Sequence, residues 1–226
     1  MDYDESYYDA NGQQDDRPAL LLYVRLVQRY LKPTRVLDVG CGTGTLLARL
    51  SQKVPSDGYE VSAWSAARAR ENSPGSTVYE AGDDLPTATY DGFTAVHVFE
   101  HIPDEQLIAL IEQLRKTTTP GARGFIVMPD PAGRAAAIHG PAWNALSDPT
   151  HINMKSHDEW RRFLTDQGLV VEREATDGMW NFPYSSWPKL LDGLRYGLPM
   201  AAQYLAGRMF LKPGRGESSF FVVRWA

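Results

Sequence analysis

The sequence predicts an α/β architecture, a mostly parallel sheet covered by helices on both faces. Three observations carry that expectation. Short apolar runs alternate with stretches of helical apolar spacing along most of the chain, the pattern of repeated βα units. A glycine-rich turn, Gly40-x-Gly42-x-Gly44, directly follows one such run and opens a helical one. The stretch Gly124–Met128 is almost continuously apolar, as suits a central parallel strand buried on both sides.

Taken in order, Pro18–Leu31 has Leu22, Leu26, Val27 and Tyr30 at helical spacing and stops before Pro33. Arg35–Val39 reads as a strand and Thr45–Leu50 as a helix. Tyr59–Val61 is a weak strand, Ser62–Glu71 an Ala- and Arg-rich helix, and Thr77–Tyr79 a further strand. Phe93–Val98 is the next strand, followed by a helix from Pro103 to Lys116 whose Leu107, Ile111 and Leu114 share a face. Pro120-Gly121 then turns the chain into Gly124–Met128. Ser156 with Glu159 is a capping-box signature for a helix to Gln167, closed by Gly168. Leu169–Glu174 and Ser218–Trp225 are the last strands. No internal repeat is present.

With 226 residues, 43% of them hydrophobic, the chain suits one main domain with appendages. Residues 1–32 form an acidic, Tyr-rich arm and a lid helix, and residues 33–226 the domain. Two insertions break the alternation, about 129–155 and 176–217, and connections of that length usually carry function. A net charge of -5 without a Lys/Arg block argues against a nucleic-acid partner. The single cysteine, Cys41, excludes an intramolecular disulfide, and no signal-peptide layout opens the chain, so a cytoplasmic protein is expected. The apolar stretch Tyr196–Gly207 falls short of the ~20 residues a membrane span needs.

Glycines at 40, 42 and 44 let the backbone approach a ligand at the carboxyl end of the sheet, where open α/β folds bind nucleotides. A dinucleotide turn would place Gly or Ala at position 45, and Thr45 stands there instead. Glu60, at the end of the second strand, is positioned to accept from both hydroxyls of a ribose. Asp83 is the candidate acceptor for an adenine amino group, with Asp84 as the register alternative.

Val36-Leu-Asp-Val-Gly-Cys-Gly-Thr-Gly44, Gly82-Asp-Asp-Leu-Pro86, His97-Val-Phe-Glu-His-Ile-Pro103 and Pro120-Gly-Ala-Arg-Gly124 resemble successive motifs of the class I S-adenosylmethionine-dependent methyltransferases, small-molecule branch. The likeness covers roughly residues 33–175 and extends to the ubiquinone-pathway O-methyltransferases. It implies a Rossmann-like, seven-stranded, mostly parallel sheet with an antiparallel last strand, for which Ser218–Trp225 is the match. It also implies that Asp38 and Gly40 approach the methionine part of S-adenosylmethionine, with Gly42 and Gly44 in the same cofactor-binding turn. Glu60 would meet the ribose and Asp83 the adenine, with Asp84 and Leu85 also among the cofactor-binding residues. Val96 and His97 would lie beside the donor's amino-acid end. The family's usual run at the second strand is Gly-apolar-Asp, where this chain has Tyr59-Glu60-Val61.

Methyl transfer from a sulfonium is an in-line displacement that needs a base only when the acceptor must lose a proton. Of five histidines, His101 and His151 are the candidates, against readings as a helix-start residue and a loop staple. His139 and His157 read as solvent or cap residues. Some ubiquinone-pathway relatives place metal ligands at the motif matched by His97-Val-Phe-Glu100-His101, but the first carboxylate is His97 here, and no metal is expected.

Trp143, Trp180, Phe182, Tyr184 and Trp187 concentrate in the insertions and could wall an acceptor pocket, ordinary core packing being the alternative for at least half. Tyr3, Tyr7 and Tyr8 could close over the donor. Leu190–Leu211, interrupted by Arg195, Arg208 and Lys212, suits a substrate-side helix pair, ahead of a dimer surface or a membrane interface. The resulting expectation is an enzyme that methylates an oxygen, before nitrogen or carbon, of an aromatic or glycosidic small molecule, a natural-product or sugar intermediate, as a monomer or homodimer. The alternatives are a non-catalytic nucleoside-binding or partner subunit and, third, an NAD-dependent oxidoreductase.

Overall fold

The computed structural model describes residues 18–180, 184–186 and 188–226. Tyr3, Tyr7, Tyr8, Phe182 and Trp187, for which lid and pocket roles were expected, lie outside the described residues. Seven strands form one mostly parallel sheet in the order β3-β2-β1-β4-β5-β7-β6, with the antiparallel strand at the chain's end, as expected. The chain divides into two compact units, one reaching up to Val96 and taking Leu110–Phe125 and Trp225, the other built from His97–Ala109, Ile126–Arg224 and Ala226.

The first unit opens with helix α1, Pro18–Tyr30, whose Leu22, Leu26 and Val27 are fully buried. Strand β1, Val36–Val39, is buried at all four positions and pairs in parallel with β2, Ser56–Tyr59, and β4, Tyr90–Val96. Helices α2, Thr45–Ser51, and α3, Ala63–Asn72, follow β1 and β2, and β3 is Val78–Tyr79. The second strand thus begins at Ser56, three residues upstream of where its apolar pattern begins, and ends at Tyr59. Ser, Asp and Gly are poor strand formers, so local propensity hides it. Tertiary bonding overrides propensity: the Asp57 carboxylate accepts from Arg35 Nη2 at 2.7 Å, the Thr77 amide at 2.9 Å and the Tyr90 hydroxyl at 2.9 Å. Burial alone would raise the Asp57 pKa, but these donors together hold it below the usual carboxylate range.

Helix α4 is Asp104–Thr117 and β5 is Thr118–Pro129. The strand already includes Pro120-Gly121, so that pair is a kink within β5, with Gly121 at φ 79°, and not its boundary. Gly124 makes room for the core: a Cβ there would stand 2.2 Å from Cζ of Phe93, whose ring stacks on Trp225 at 5.9 Å.

In the second unit both insertions carry helices of their own. The first holds α5, Arg134–His139, and α6, Asn144–Ser147, the second α8, Lys189–Asp192, a π turn Gly193–Gly197 and α9, Leu198–Ala206. Between them come α7, His157–Asp166, and β6, Leu169–Thr176, and β7 is Ser218–Trp225. The capping box of α7 forms as read, the Glu159 carboxylate accepting from the Ser156 amide at 2.8 Å and hydroxyl at 2.5 Å. His157 is no solvent residue. Its ring is buried and stacks on Phe221 at 4.5 Å, with Nδ1 on Ser219 Oγ and Nε2 on Glu174, because the first residue of α7 faces the sheet. His139 is half-buried against the Tyr184 ring at 5.2 Å.

Candidate functional site

Asp38 occupies the third position of β1, where strand register places it opposite Thr94 of β4. The Thr94 hydroxyl donates to Asp38 Oδ1 at 2.5 Å, and Oδ2 is buried with no hydrogen-bond partner among the described residues. A buried carboxylate oxygen left unpaired is costly, and a ligand cation would satisfy it. Burial, opposed by the Thr94 bond and reinforced by the charge of Glu60, lifts the Asp38 pKa to about 7.

The turn that follows holds Gly40, Gly42 and Gly44 at φ 62°, 55° and 82°, the left-handed region that favours glycine. Gly40 donates its amide to the Tyr59 carbonyl at 2.7 Å, hooking the turn over the end of β2. Glu60, one residue past β2, grips the same turn. Its Oε2 accepts from the Gly42 amide at 2.8 Å and its Oε1 from the Ser62 amide at 2.8 Å. Each oxygen keeps a second lone pair for a ribose hydroxyl. Burial raises the Glu60 pKa against the pull of three backbone amides. Gly44 has a second reason to be glycine, since a Cβ there would lie 2.7 Å from Cα of Ala69 in α3. That contact was invisible in the spacing of the motif. Orphaned Oδ2, left-handed turn and carboxylate at the strand end fit a cationic amino-acid nucleoside.

The other donor candidates are less engaged. Asp83 is exposed and its Oδ2 accepts from the Glu80 amide at 2.7 Å, closing a short turn after β3. Asp84 is exposed beside it and Leu85 is half-buried. Val96, also half-buried, is the last residue of β4.

In the second unit His97 takes φ 57°, rare for a residue with a side chain, and is held there by its amide bond to the Val127 carbonyl at 2.8 Å. Its Nδ1 lies 3.3 Å from Glu100 Oε1, so its side chain engages Glu100. Glu100 and His101 sit on a single 3-10 turn, Phe99–His101. Glu100 is fully buried. Burial pushes its carboxyl up, but the His97 bond and the charges of His97 and His101 outweigh that, and its pKa falls below the usual range. Its Oε2 has no hydrogen-bond partner among the described residues.

His151 meets His101 edge to face, ring centroids 4.6 Å apart. The loop is brought there by Asn153, whose amide donates to the Glu100 carbonyl at 2.9 Å and whose Nδ2 donates to the Ile102 carbonyl at 2.7 Å. His151 Nδ1 lies 2.6 Å from the Ala145 carbonyl, which can only accept. Nδ1 therefore carries the proton and Nε2 is the basic nitrogen, 3.8 Å from Asp148 Oδ2. Asp148 is itself oriented by Thr150, which donates from amide and hydroxyl to Oδ1 at 2.8 and 2.6 Å. Sequence reasoning singled out both histidines and missed Asp148, though the run Asp148-Pro-Thr-His151 held the signal. Burial lowers the His101 pKa, with Glu100 opposing. Glu100, His101 and His151 each offer a ligand atom, all within 4.8 Å of one another, a spacing that one divalent cation could bridge.

Of the insertion aromatics, Trp143 and Tyr184 are buried in a cluster with Ala135, Met179 and Tyr196. The indole nitrogens of Trp143 and Trp180 are buried without a hydrogen-bond partner among the described residues.

A family model described as a methyltransferase domain matches residues 13–174. Among curated proteins, the chain is 27% identical over 173 residues to an indolepyruvate C-methyltransferase from Streptomyces griseus, covering 67% of this chain and 51% of that protein. It is 30% identical over 184 residues to a ubiquinone biosynthesis O-methyltransferase from Xanthomonas axonopodis pv. citri (strain 306), covering 74% of this chain and 76% of that protein. Among solved structures, an S-adenosylmethionine-dependent methyltransferase from Archaeoglobus fulgidus superposes with a TM-score of 0.62 at 18% identity, over 98% of this chain and 100% of the other, a likeness of fold.

Proposed function

Because the chain belongs to the class I S-adenosylmethionine-dependent methyltransferases, we propose that it methylates a hydroxyl oxygen of a small aromatic or glycosidic acceptor, with His151 as the base. The observation that supports the base assignment is the contact of His151 Nδ1 with the Ala145 carbonyl, which makes Nε2, on the side of Asp148, the accepting nitrogen of the neutral ring. As the acceptor oxygen attacks the methyl carbon, its proton passes to Nε2. The carbon–sulfur bond breaks with its electron pair going to sulfur, so the sulfonium leaves as a neutral thioether. Asp148 stabilises the imidazolium that forms.

On the donor side, Asp38 Oδ2 pairs with the donor's ammonium, Glu60 accepts from the ribose and the Gly40–Gly44 turn lets the backbone close on the ligand. Asp83, with Asp84 and Leu85 beside it, borders the adenine, and Val96 and His97 the amino-acid end. An oxygen acceptor is favoured because a phenol or sugar hydroxyl must lose its proton on methylation, which gives a histidine base a role. The matched relatives include both carbon and oxygen methyltransferases. Membership of a methyltransferase family leaves the nicotinamide and non-catalytic readings without support, and Thr45 and the intact Asp38 and Glu60 agree.

The test is turnover of a phenol and glycoside panel, read as release of S-adenosylhomocysteine. His151→Ala is expected to lose about 100-fold or more in turnover with S-adenosylhomocysteine affinity unchanged. Unchanged turnover retires the base assignment. A second reading rests on the unpartnered Glu100 Oε2: a divalent cation on Glu100, His101 and His151 would polarise the acceptor oxygen in place of a base. Full activity after exhaustive chelation excludes it.

A further inference from the structure

Residues 189–206 form a helical run that leaves an apolar strip uncovered at the protein surface. A surface helix ordinarily buries its apolar stripe and exposes its polar one. Here Tyr196 is buried, but two polar side chains, Asp192 and Gln203, are buried with it while several leucines are not. Asp192 is 1% exposed and accepts from the Tyr184 amide at 2.7 Å and the Ser185 hydroxyl at 2.6 Å. Gln203 is fully buried, donates to the Thr176 carbonyl at 2.9 Å and accepts from the amides of Phe210 and Leu211. The leucines point outward: Leu190 is 75% exposed, Leu205 80%, and Leu194 and Leu198 about half. At four-residue spacing Leu190, Leu194 and Leu198 lie along one side, and Leu205, seven residues on, continues it. Phe210, just past the helix, is also exposed.

This apolar strip carries a basic fringe. Arg195 on the helix, and Arg208, Lys212 and Arg215 after it, are exposed. Residues 188–215 hold five basic side chains and one acidic, the buried Asp192, in a chain whose net charge is -5. From the exposed apolar strip and this local reversal of charge we propose that the 190–212 face is a peripheral docking surface for an anionic lipid bilayer. The leucines and Phe210 enter the acyl boundary and the basic fringe pairs with lipid phosphates. No helix among the described residues is long and apolar enough to cross a membrane, so the contact lies in the interface plane. A second copy of the chain is the weaker occupant. Two-fold pairing about the strip would bring each basic fringe against its like.

Vesicle flotation of the full chain tests this independently of methyl transfer. Vesicles of equal phosphatidylglycerol and phosphatidylcholine are expected to carry about tenfold more protein than pure phosphatidylcholine, and about 0.5 M salt to abolish most of the difference. Leu194→Glu with Leu198→Glu should lose binding to both, and Arg208→Glu with Lys212→Glu only the anionic preference. In both variants circular dichroism and S-adenosylhomocysteine affinity should match the parent chain. Failure of the parent to float, equal binding to both vesicles, or a dimer by light scattering that the leucine variant splits would each overturn the proposal.

Discussion

Asp38 answers to two demands at once. Burial makes its charge expensive, and its proposed partner, a donor ammonium, requires that charge. An acid whose folded pKa is lifted to about 7 binds more protons folded than unfolded between about pH 4 and 7, so the donor-free chain should lose stability as pH rises through that window. Asp38→Asn is expected to flatten that part of the pH profile, measured by thermal melts. Donor affinity should run the other way, strengthening from pH 6 to 8 as the carboxylate ionises. By calorimetry, Asp38→Asn should weaken binding by about tenfold or more and remove the dependence, since a hydrogen bond to a charged group contributes roughly 1.5–3 kcal/mol. An affinity that ignores pH in the parent chain would count against the ammonium assignment.

At the scale of the element, β2 shows what local pattern does not reveal. The strand is Ser56-Asp57-Gly58-Tyr59, and its second and third residues each answer to a distant neighbour. Asp57 gathers three donors, and Gly58 leaves room for the turn beside it. A Cβ at Gly58 would stand 2.7 Å from Cys41 Sγ and 2.9 Å from Leu47 Cδ2. Gly58→Ala is therefore expected to cost about 1–3 kcal/mol by overpacking, and Cys41→Ala in the same chain to recover part of it, both read by denaturant melts. Helix α7 is the opposite case, legible from its cap alone. Ser156→Ala should cost about 1 kcal/mol through loss of the capping box, with the donor site untouched.

For the whole molecule, ligand binding to the folded state must appear as stability. S-adenosylhomocysteine at a hundred times its Kd should contribute about 2.7 kcal/mol. That corresponds to about 5–10 °C in Tm for a chain of this length, at roughly 2–4 °C per kcal/mol. NAD at the same concentration should leave Tm unchanged. Absence of a shift with the thioether would remove the donor assignment while leaving the fold intact.

Architecture and donor chemistry were legible in the sequence because they rest on short-range pattern. Alternating runs, a turn that only glycines can adopt and a capping box are written within a few residues of one another. Residues that act through distant neighbours were not. The start of β2 depended on Arg35, Thr77 and Tyr90, His157 was buried by Phe221 and Ser219, and Gly44 proved to be held by Ala69 as well as by its φ. The sequence alone determined a left-handed glycine turn at the end of a parallel strand. Only tertiary structure decided which nitrogen of His151 is basic, that Glu100 is buried beside it, and that the leucines of 190–205 face outward. A carbonyl partner, a desolvated carboxyl and the direction of a helix face are set by what packs across from them, and no spacing along the chain encodes that.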